Sequence, residues 1–323
     1  MAIRNIGTTF DIDYAQSLSL EPKDTLQRII DLGLSPIRIG IKWNSVEQKQ
    51  DEYQWERYDS VIQQLADNDV QTILTVGIKS PRWPEYYIPT WVDWKSSLGI
   101  FPFLRHKLVD KQRIVRNVLF PFLQKVINRY KGYRSIILLQ VENEPFFRFG
   151  PDRISISNEL LNDELNYIRK VSNRPILLTT QGLPTTGLFA EYVKNRNRHK
   201  KRLAGKTDVI GLNVFQALQG KDIFGRRKIF QASERAWGYL GKWIEKINSL
   251  GKECIITELQ AEPWESNIDY TDPYAHKTCN PDIVKNTLER IVAMNVKTVL
   301  LWGTEFHLAC EREGNPQWIE MIY

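Results

Sequence analysis

Two carboxylates in the 323-residue sequence stand where a chain can do chemistry with them. Glu144 lies in Gln140-Val141-Glu142-Asn143-Glu144-Pro145 and Glu258 in Ile255-Ile256-Thr257-Glu258-Leu259-Gln260. Each follows a short apolar run, which reads as a buried strand delivering its last side chains to a loop. Two carboxyl groups delivered in this way can divide the work of cleaving a glycosidic bond. One attacks the anomeric carbon or activates water, and the other protonates the leaving oxygen.

Such a pair needs a scaffold, and the periodicity supplies one. Strands are predicted at Thr9 to Tyr14, Pro36 to Trp43, Gln71 to Gly77, Ile136 to Glu142, Pro175 to Thr180, Asp208 to Phe215, Glu253 to Glu258 and Thr298 to Trp302. Between them apolar residues recur three and four apart, predicting helices at Lys23 to Leu32, Trp55 to Asn68, Val109 to Tyr130, Ser157 to Val171, Ser233 to Leu250 and Pro281 to Met294. Asn280 is placed to cap the last of these, with Pro281 at its first position. Ile136-Ile137-Leu138-Leu139 and Thr298-Val299-Leu300-Leu301 are apolar on consecutive residues, so both faces of those strands are buried, as parallel strands covered by helices require.

Eight such units over the whole chain predict an α/β fold, a single (β/α)8 TIM barrel occupying residues 1–323 as one catalytic domain. The competing doubly wound sheet would carry a glycine-rich phosphate turn, and neither GxGxxG nor GxxxxGK[ST] occurs. In a barrel the mouth is built where strands end. Strands 4 and 7 stand across the barrel from each other, so Glu144 and Glu258 are expected to face one another over a substrate-sized gap.

At these residues the chain resembles the glycoside hydrolases of clan A, retaining enzymes on (β/α)8 barrels, over nearly its full length; families 5, 39 and 42 are the most similar. Asn143-Glu144-Pro145 matches the clan's Asn-Glu-Pro signature, which implies Glu144 as acid/base and Asn143 as a ligand of the sugar 2-hydroxyl. Thr257-Glu258 matches the nucleophile motif, Arg38 the strand 2 arginine beneath the nucleophile, and Trp302 the strand 8 tryptophan that floors a sugar subsite. Arg38 beside Glu258 would favour that carboxylate, and the resulting charge, with burial, would raise the pKa of Glu144. The resemblance implies retention, for which the two carboxyls stand about 5 to 5.5 Å apart. Two positions depart from the pattern. Strand 6 ends Asn213-Val214-Phe215-Gln216 with no tyrosine hydroxyl for the nucleophile, leaving Gln216, Gln181 or Gln260 as substitutes, and the strand 3 histidine of family 5 is absent.

Aromatic and polar residues at strand ends are the expected sugar platform: Trp43, Trp83, Trp264, Trp302, Gln181, Asn213, Gln260, Glu305 and His307. Glu142 reads as a paired structural acid. Lys42 and Lys79 lie near strand ends without a phosphate loop to serve. No metal and no cofactor is called for, since neither HExxH nor CxxC occurs, and GxSxG is missing too. Cys279 and Cys310 fall in neighbouring loops, as a disulfide or as free thiols, and Cys254 reads as buried.

The expected partner is a carbohydrate, with no nucleic acid; oligomeric state is left open. Much of the net charge of +6 gathers in Lys194, Arg196, Arg198, Lys200, Lys201, Arg202 and Lys206, read as a solvated loop or a docking patch. No apolar stretch reaches the length of a membrane span, and Met1 to Thr8 has no basic-then-apolar leader pattern. An extracytoplasmic or cell-surface location is the expectation for an enzyme that meets polymers. The competing functional reading is a non-catalytic glycan-binding barrel derived from such an enzyme, motivated by the missing strand 6 hydroxyl.

Overall fold

The computed structural model describes residues 5–94, 113–148, 150–151, 155–183, 203, 205–221 and 226–323. Short runs of apolar and β-branched residues form ten strands: β1 (Asn5–Phe10), β2 (Ile37–Gly40), β3 (Thr72–Val76), β4 (Ile136–Val141), β5 (Ile176–Gln181), β6 (Val209–Val214), β7 (Ala217–Lys221), β8 (Arg227–Gln231), β9 (Glu253–Gln260) and β10 (Thr298–Trp302). Eight of them close into a barrel in the order β1-β10-β9-β6-β5-β4-β3-β2, and β7 with β8 makes a separate two-stranded sheet. This is a (β/α)8 barrel. Strands β3, β6 and β10 are buried at every residue, as their unbroken apolar runs required.

The helices are α1 (Ile12–Ser17), α2 (Pro22–Asp31), α3 (Trp43–Val46), α4 (Glu56–Asp67), α5 (Arg113–Tyr130), α6 (Asn158–Val171), α7 (Glu234–Ser249), α8 (Pro281–Ala293), α9 (Thr304–Arg312) and α10 (Gln317–Ile322). Side-chain caps start several of them. Ser157 accepts the N–H of Leu160, Ser233 that of Ala236, and Asn280 that of Ile283 with Pro281 at the first helical position, each satisfying an amide the helix cannot.

The first strand is earlier than the predicted Thr9 to Tyr14. Asp11 turns the chain there: its carboxylate accepts the Tyr14 N–H at 2.9 Å and caps α1, taking Ile12 to Ser17 out of the strand. The β7–β8 hairpin and the short helices α1, α3, α9 and α10 had no counterpart in the predicted elements.

The chain divides into two compact units, Met1–Arg38 with Gln181–Ala204 and Val209–Tyr323, and Ile39–Thr180 with Gly205–Asp208. In the first, β6 pairs with β9, β9 with β10 and β10 with β1, all parallel. Trp237, Leu240 and Ile244 of α7 and Val284 and Ile291 of α8 share a core with Ile210, Leu212, Ile256 and Val299. Each large aliphatic side chain sealed there contributes about 1.5 to 3 kcal/mol. In the second, β3 pairs with β4 and β4 with β5. Its helices bury Val61, Ile62 and Leu65 of α4, Phe122 and Val126 of α5, and Leu160, Leu161 and Leu165 of α6.

Cys254, Cys279 and Cys310 are free and buried, so the disulfide considered for Cys279 and Cys310 is not formed. Most of the basic run, residues 194 to 202, lies outside the described residues, as does the later part of the loop after strand 3. Lys206 is described, and its ammonium binds the side chains of Asn158 and Asn162. Among the described residues no helix is long and apolar enough to cross a membrane.

His307 on α9, a candidate for the sugar site, is instead a buried fastening. Its Nε2–H donates to the carbonyl of Ala261 at 2.6 Å, Nδ1 lies 3.0 Å from the Tyr323 hydroxyl, and the ring stacks on Trp318 with centroids 4.8 Å apart. Burial pushes its pKa down to about 4, so the imidazole is neutral. Between pH 6.5 and 4 the unfolded chain takes up a proton that the folded chain refuses. Stability therefore falls on acidification through that window, by about 3 kcal/mol for this group at its lower end. Melting temperature against pH over this range is expected to be flatter in His307→Gln; an unchanged slope would remove His307 as its source.

Candidate active site

The first unit holds Glu258, near the end of β9 and 4% exposed. Its Oε1 receives Arg38 Nη2 at 2.7 Å, and Arg38, fully buried, turns its Nε to Thr9 Oγ1 at 2.9 Å. The guanidinium also stands 6.0 Å from the Trp302 ring centre. A guanidinium cannot shed its proton, so burying it requires a carboxylate partner. Arg38 supplies a fixed positive charge to Glu258 and, sealed from solvent, acts through Glu258 rather than on a substrate.

Strand irregularities bring other groups to this carboxylate. The β6–β9 register shifts between Leu212 and Asn213, which places Asn213 beside Glu258 in the ladder. A shifted register re-aims side chains at a strand end. Asn213 Oδ1 accepts the Thr257 hydroxyl at 2.7 Å. Where clan members carry the strand 6 tyrosine, Phe215 packs on Trp264 with centroids 4.7 Å apart and edge-on to Trp302 at 6.0 Å.

Two of the proposed stand-ins for the tyrosine are engaged elsewhere. Gln216 Oε1 accepts the hydroxyl of Thr287. Gln260 is fully buried, its Oε1 accepting the N–H groups of Gln216 and Ala217 and its Nε2 donating to the Ala217 carbonyl. It is a clamp on the base of the hairpin, and its place among the sugar ligands is corrected. Gln181, half-buried at the end of β5, keeps its candidacy.

Glu305 is also corrected: it is fully buried and accepts the Asp11 N–H at 2.8 Å, tying α9 to the end of β1. Sequence reasoning missed Tyr14 and Glu262, joined by a 2.7 Å hydrogen bond from the Tyr14 hydroxyl to Glu262 Oε2. Tyr14 was hidden because its segment read as strand. Gly303 marks how closely the Trp302 turn approaches Glu262, for at φ +120° a Cβ there would stand 2.5 Å from that of Glu262.

The second unit holds Glu144, 6% exposed, just beyond β4. Its N–H donates to Thr179 Oγ1 at 2.9 Å. Asn143 Oδ1 accepts Gln140 Nε2 at 3.1 Å and the Thr179 hydroxyl at 3.3 Å. Lys79, fully buried, donates its Nζ to the carbonyls of Glu144 and Phe147, both at 2.9 Å. Lys42 lies with its ammonium 5.1 Å from the Tyr87 ring centre.

Trp43 is fully buried and cannot be a sugar platform: its indole N–H donates to Glu47 at 2.7 Å and the ring stacks on Phe122. Trp83 is 65% exposed and is the most open tryptophan of the predicted set. Among the described residues no group of three or more His, Cys, Asp or Glu is placed to hold a metal ion.

Residues 18–160 match a family model, Glyco_hydro_42, described as beta-galactosidase. Solved structures resemble the chain over nearly its whole length. A variant of the GH5_18 protein of Bifidobacterium longum subsp. longum, in complex with Manb1-4GlcNAc, superposes with a TM-score of 0.61 at 11% identity, covering 92% of this chain and 68% of that one. An endo-beta-1,4-xylanase of family GH10 from Gloeophyllum trabeum gives 0.57 at 13%, covering 93% and 84%. The hyperthermophilic beta-glucosidase of Pyrococcus furiosus gives 0.56 at 15%, covering 93% and 86%. The chain has the glycoside hydrolase clan A fold. Family match and fold together support a glycosidase. No curated protein matches the chain.

The Arg38–Glu258 pair of this clan A barrel makes a stability prediction. Arg38→Met strips a buried carboxylate of its cation and is expected to cost about 3 to 5 kcal/mol in denaturant unfolding. The double variant with Glu258→Gln, which removes both charges, recovers part of that loss. Equal losses in the single and double variants would mean that the charges do not act as a pair.

Proposed function

We propose that the chain is a retaining glycosidase that cleaves β-linked glycans, with Glu258 as nucleophile, Glu144 as acid/base and residues 1–323 acting as one catalytic domain. The observation that carries this reading is the fully buried Arg38 bound to Glu258, which supports an ionised carboxylate at the end of β9. In the first step Glu258 bonds to the anomeric carbon, the bond to the aglycone oxygen breaks, and Glu144 gives its proton to that oxygen. In the second Glu144 takes a proton from water, the water oxygen bonds to the anomeric carbon, and Glu258 leaves as the carboxylate.

Asn143 has both acceptor bonds on its carbonyl oxygen taken by neighbours, which leaves its amide N–H groups to meet a sugar hydroxyl. Trp302, Trp264 and the exposed Trp83 offer ring faces for sugar C–H surfaces, with Gln181 and Asn213 as polar ligands. The β linkage is supported by the names of the similar proteins, a beta-galactosidase family, a beta-glucosidase and an endo-beta-1,4-xylanase.

The test is trapping with 2-fluoro β-glycosides bearing a dinitrophenyl leaving group, in the galacto, gluco, manno and xylo series, followed by intact mass and peptide mapping. One adduct per chain on Glu258, absent from Glu258→Gln, is the expected result. An adduct on another residue would overturn the nucleophile assignment. Absence of any adduct, together with binding to immobilised glycans, would favour the non-catalytic reading that Phe215 motivates.

A further inference from the structure

Two carboxyl groups are sealed from water in the unit that carries Glu144. Glu142 at the exit of β4 and Glu164 on α6 are both fully buried. Glu142 accepts the backbone N–H of Ile78 at 2.7 Å and of Lys79 at 2.6 Å. Neither oxygen of Glu164 receives a hydrogen bond from a described residue, and the group it meets is Glu142. Two carboxyls in contact in a dry interior do not both ionise.

The placement of donors decides which one keeps the proton. Burial pushes both carboxyls up, but the two N–H groups and Lys79 draw Glu142 back, while the Glu142 charge drives Glu164 further up. Glu142 is therefore the anion and Glu164 the acid, donating its O–H to Glu142. The other charged groups facing Glu164 are Asp163 and Arg116, which bind each other at 2.7 Å.

From Glu142 the contacts run directly to Glu144. The Lys79 whose N–H Glu142 holds gives its ammonium to the Glu144 carbonyl, lies 3.9 Å from Glu85, and accepts the Asn143 N–H on its own carbonyl at 2.9 Å. Glu142 and Glu144 both adopt left-handed backbone, φ 59° and 44°, a conformation that a side chain keeps only where its surroundings hold it. Gly77, at φ +125°, leaves room for this arrangement, since a Cβ there would stand 2.3 Å from Glu142 Oε1.

We propose that the proton-sharing Glu164–Glu142 pair, acting through Lys79, is a positioning device for the Glu144 carboxyl. It fixes the left-handed turn from which Glu144 is aimed, and it has no part in nucleophilic attack. The proposal rests on the reading of Glu144 as the acid/base.

A general acid matters most when the leaving group is poor, so the readout is the dependence of kcat/KM on leaving group. The substrates are aryl β-glycosides of the sugar that labels Glu258, from 2,4-dinitrophenyl to phenyl. Glu144→Ala sets the full effect, a loss of about 10² or more on the phenyl glycoside with far less on the dinitrophenyl one. Glu142→Gln and Glu164→Ala are expected to show the same selective loss at about a tenth of that size or more. Glu164→Gln, whose amide N–H takes the place of the carboxyl O–H, recovers most of what Glu164→Ala loses.

Glu258 labelling by the dinitrophenyl reagent, which needs little acid assistance, confirms that each variant is folded. If Glu142→Gln fails that check, the Glu164 variants decide alone. Equal losses on all leaving groups, or none, in variants that label normally would overturn the positioning role while Glu144→Ala still shows its dependence. A flat leaving-group dependence in Glu144→Ala would overturn the acid/base reading itself, and the positioning role with it.

Discussion

A guanidinium with no access to water has to be answered by charge and by hydrogen bonds, and much of the Glu258 environment follows from that requirement. Arg38 reaches Glu258 with one nitrogen and Thr9 with another, so residues from β1, β2 and β9 are fixed against one another at side-chain level. Parallel strands whose side chains are buried on both faces have few places for such a group. The strand exits are those places, which is why the polar residues of the first unit concentrate where β1, β6, β9 and β10 run out. The register shifts in β9's pairing with β6 and with β10 occur in the same region, and they set which residue of each neighbour stands beside Glu258 and Leu259.

The surroundings of Glu144 use a different device. No buried cation faces a carboxylate head-on there in the manner of Arg38. Instead the Lys79 ammonium binds main-chain carbonyls, and Glu142 binds main-chain amides. Side chains that satisfy backbone groups hold the path of the chain, and the path aims the functional group. One half of the machinery is set by charge on the reacting carboxylate, the other by the course of the backbone that carries it.

The alternation of apolar runs and helical periodicity was sufficient for the barrel, because burial on both strand faces leaves a plain compositional mark in residues such as Val299 to Leu301. The Asn280–Pro281 helix start was equally legible, being a local rule that tertiary contacts had no reason to override. Asp11 obeys the same rule but was masked by apolar neighbours, Phe10 and Ile12, that read as continued strand. Trp43 and Gln260 were misassigned for one reason: both stand at strand ends, and position alone does not distinguish a side chain aimed outward from one aimed at a neighbour. Glu47, four residues after Trp43, was the available signal, as a carboxylate one helical turn away can accept the indole N–H. Glu164 was legible too. It recurs with Leu160, Leu161, Leu165 and Ile168 on the apolar face of α6, where a lone acid is out of keeping with its neighbours and has to find a proton or a partner.

The clamp made by Gln260 separates two kinds of freedom in evolution. Three hydrogen bonds from one side chain of β9 hold the start of the β7–β8 hairpin, and Gln219 adds two more, from its N–H to the Trp264 carbonyl and from the Ser266 N–H to its own Oε1. The root is thus secured without any contribution from the residues that join the two strands. Their length and chemistry can be exchanged as a cassette, and a library confined to that joint would vary what the barrel presents beside Phe215 and Trp264 while leaving the strand that carries Glu258 in place.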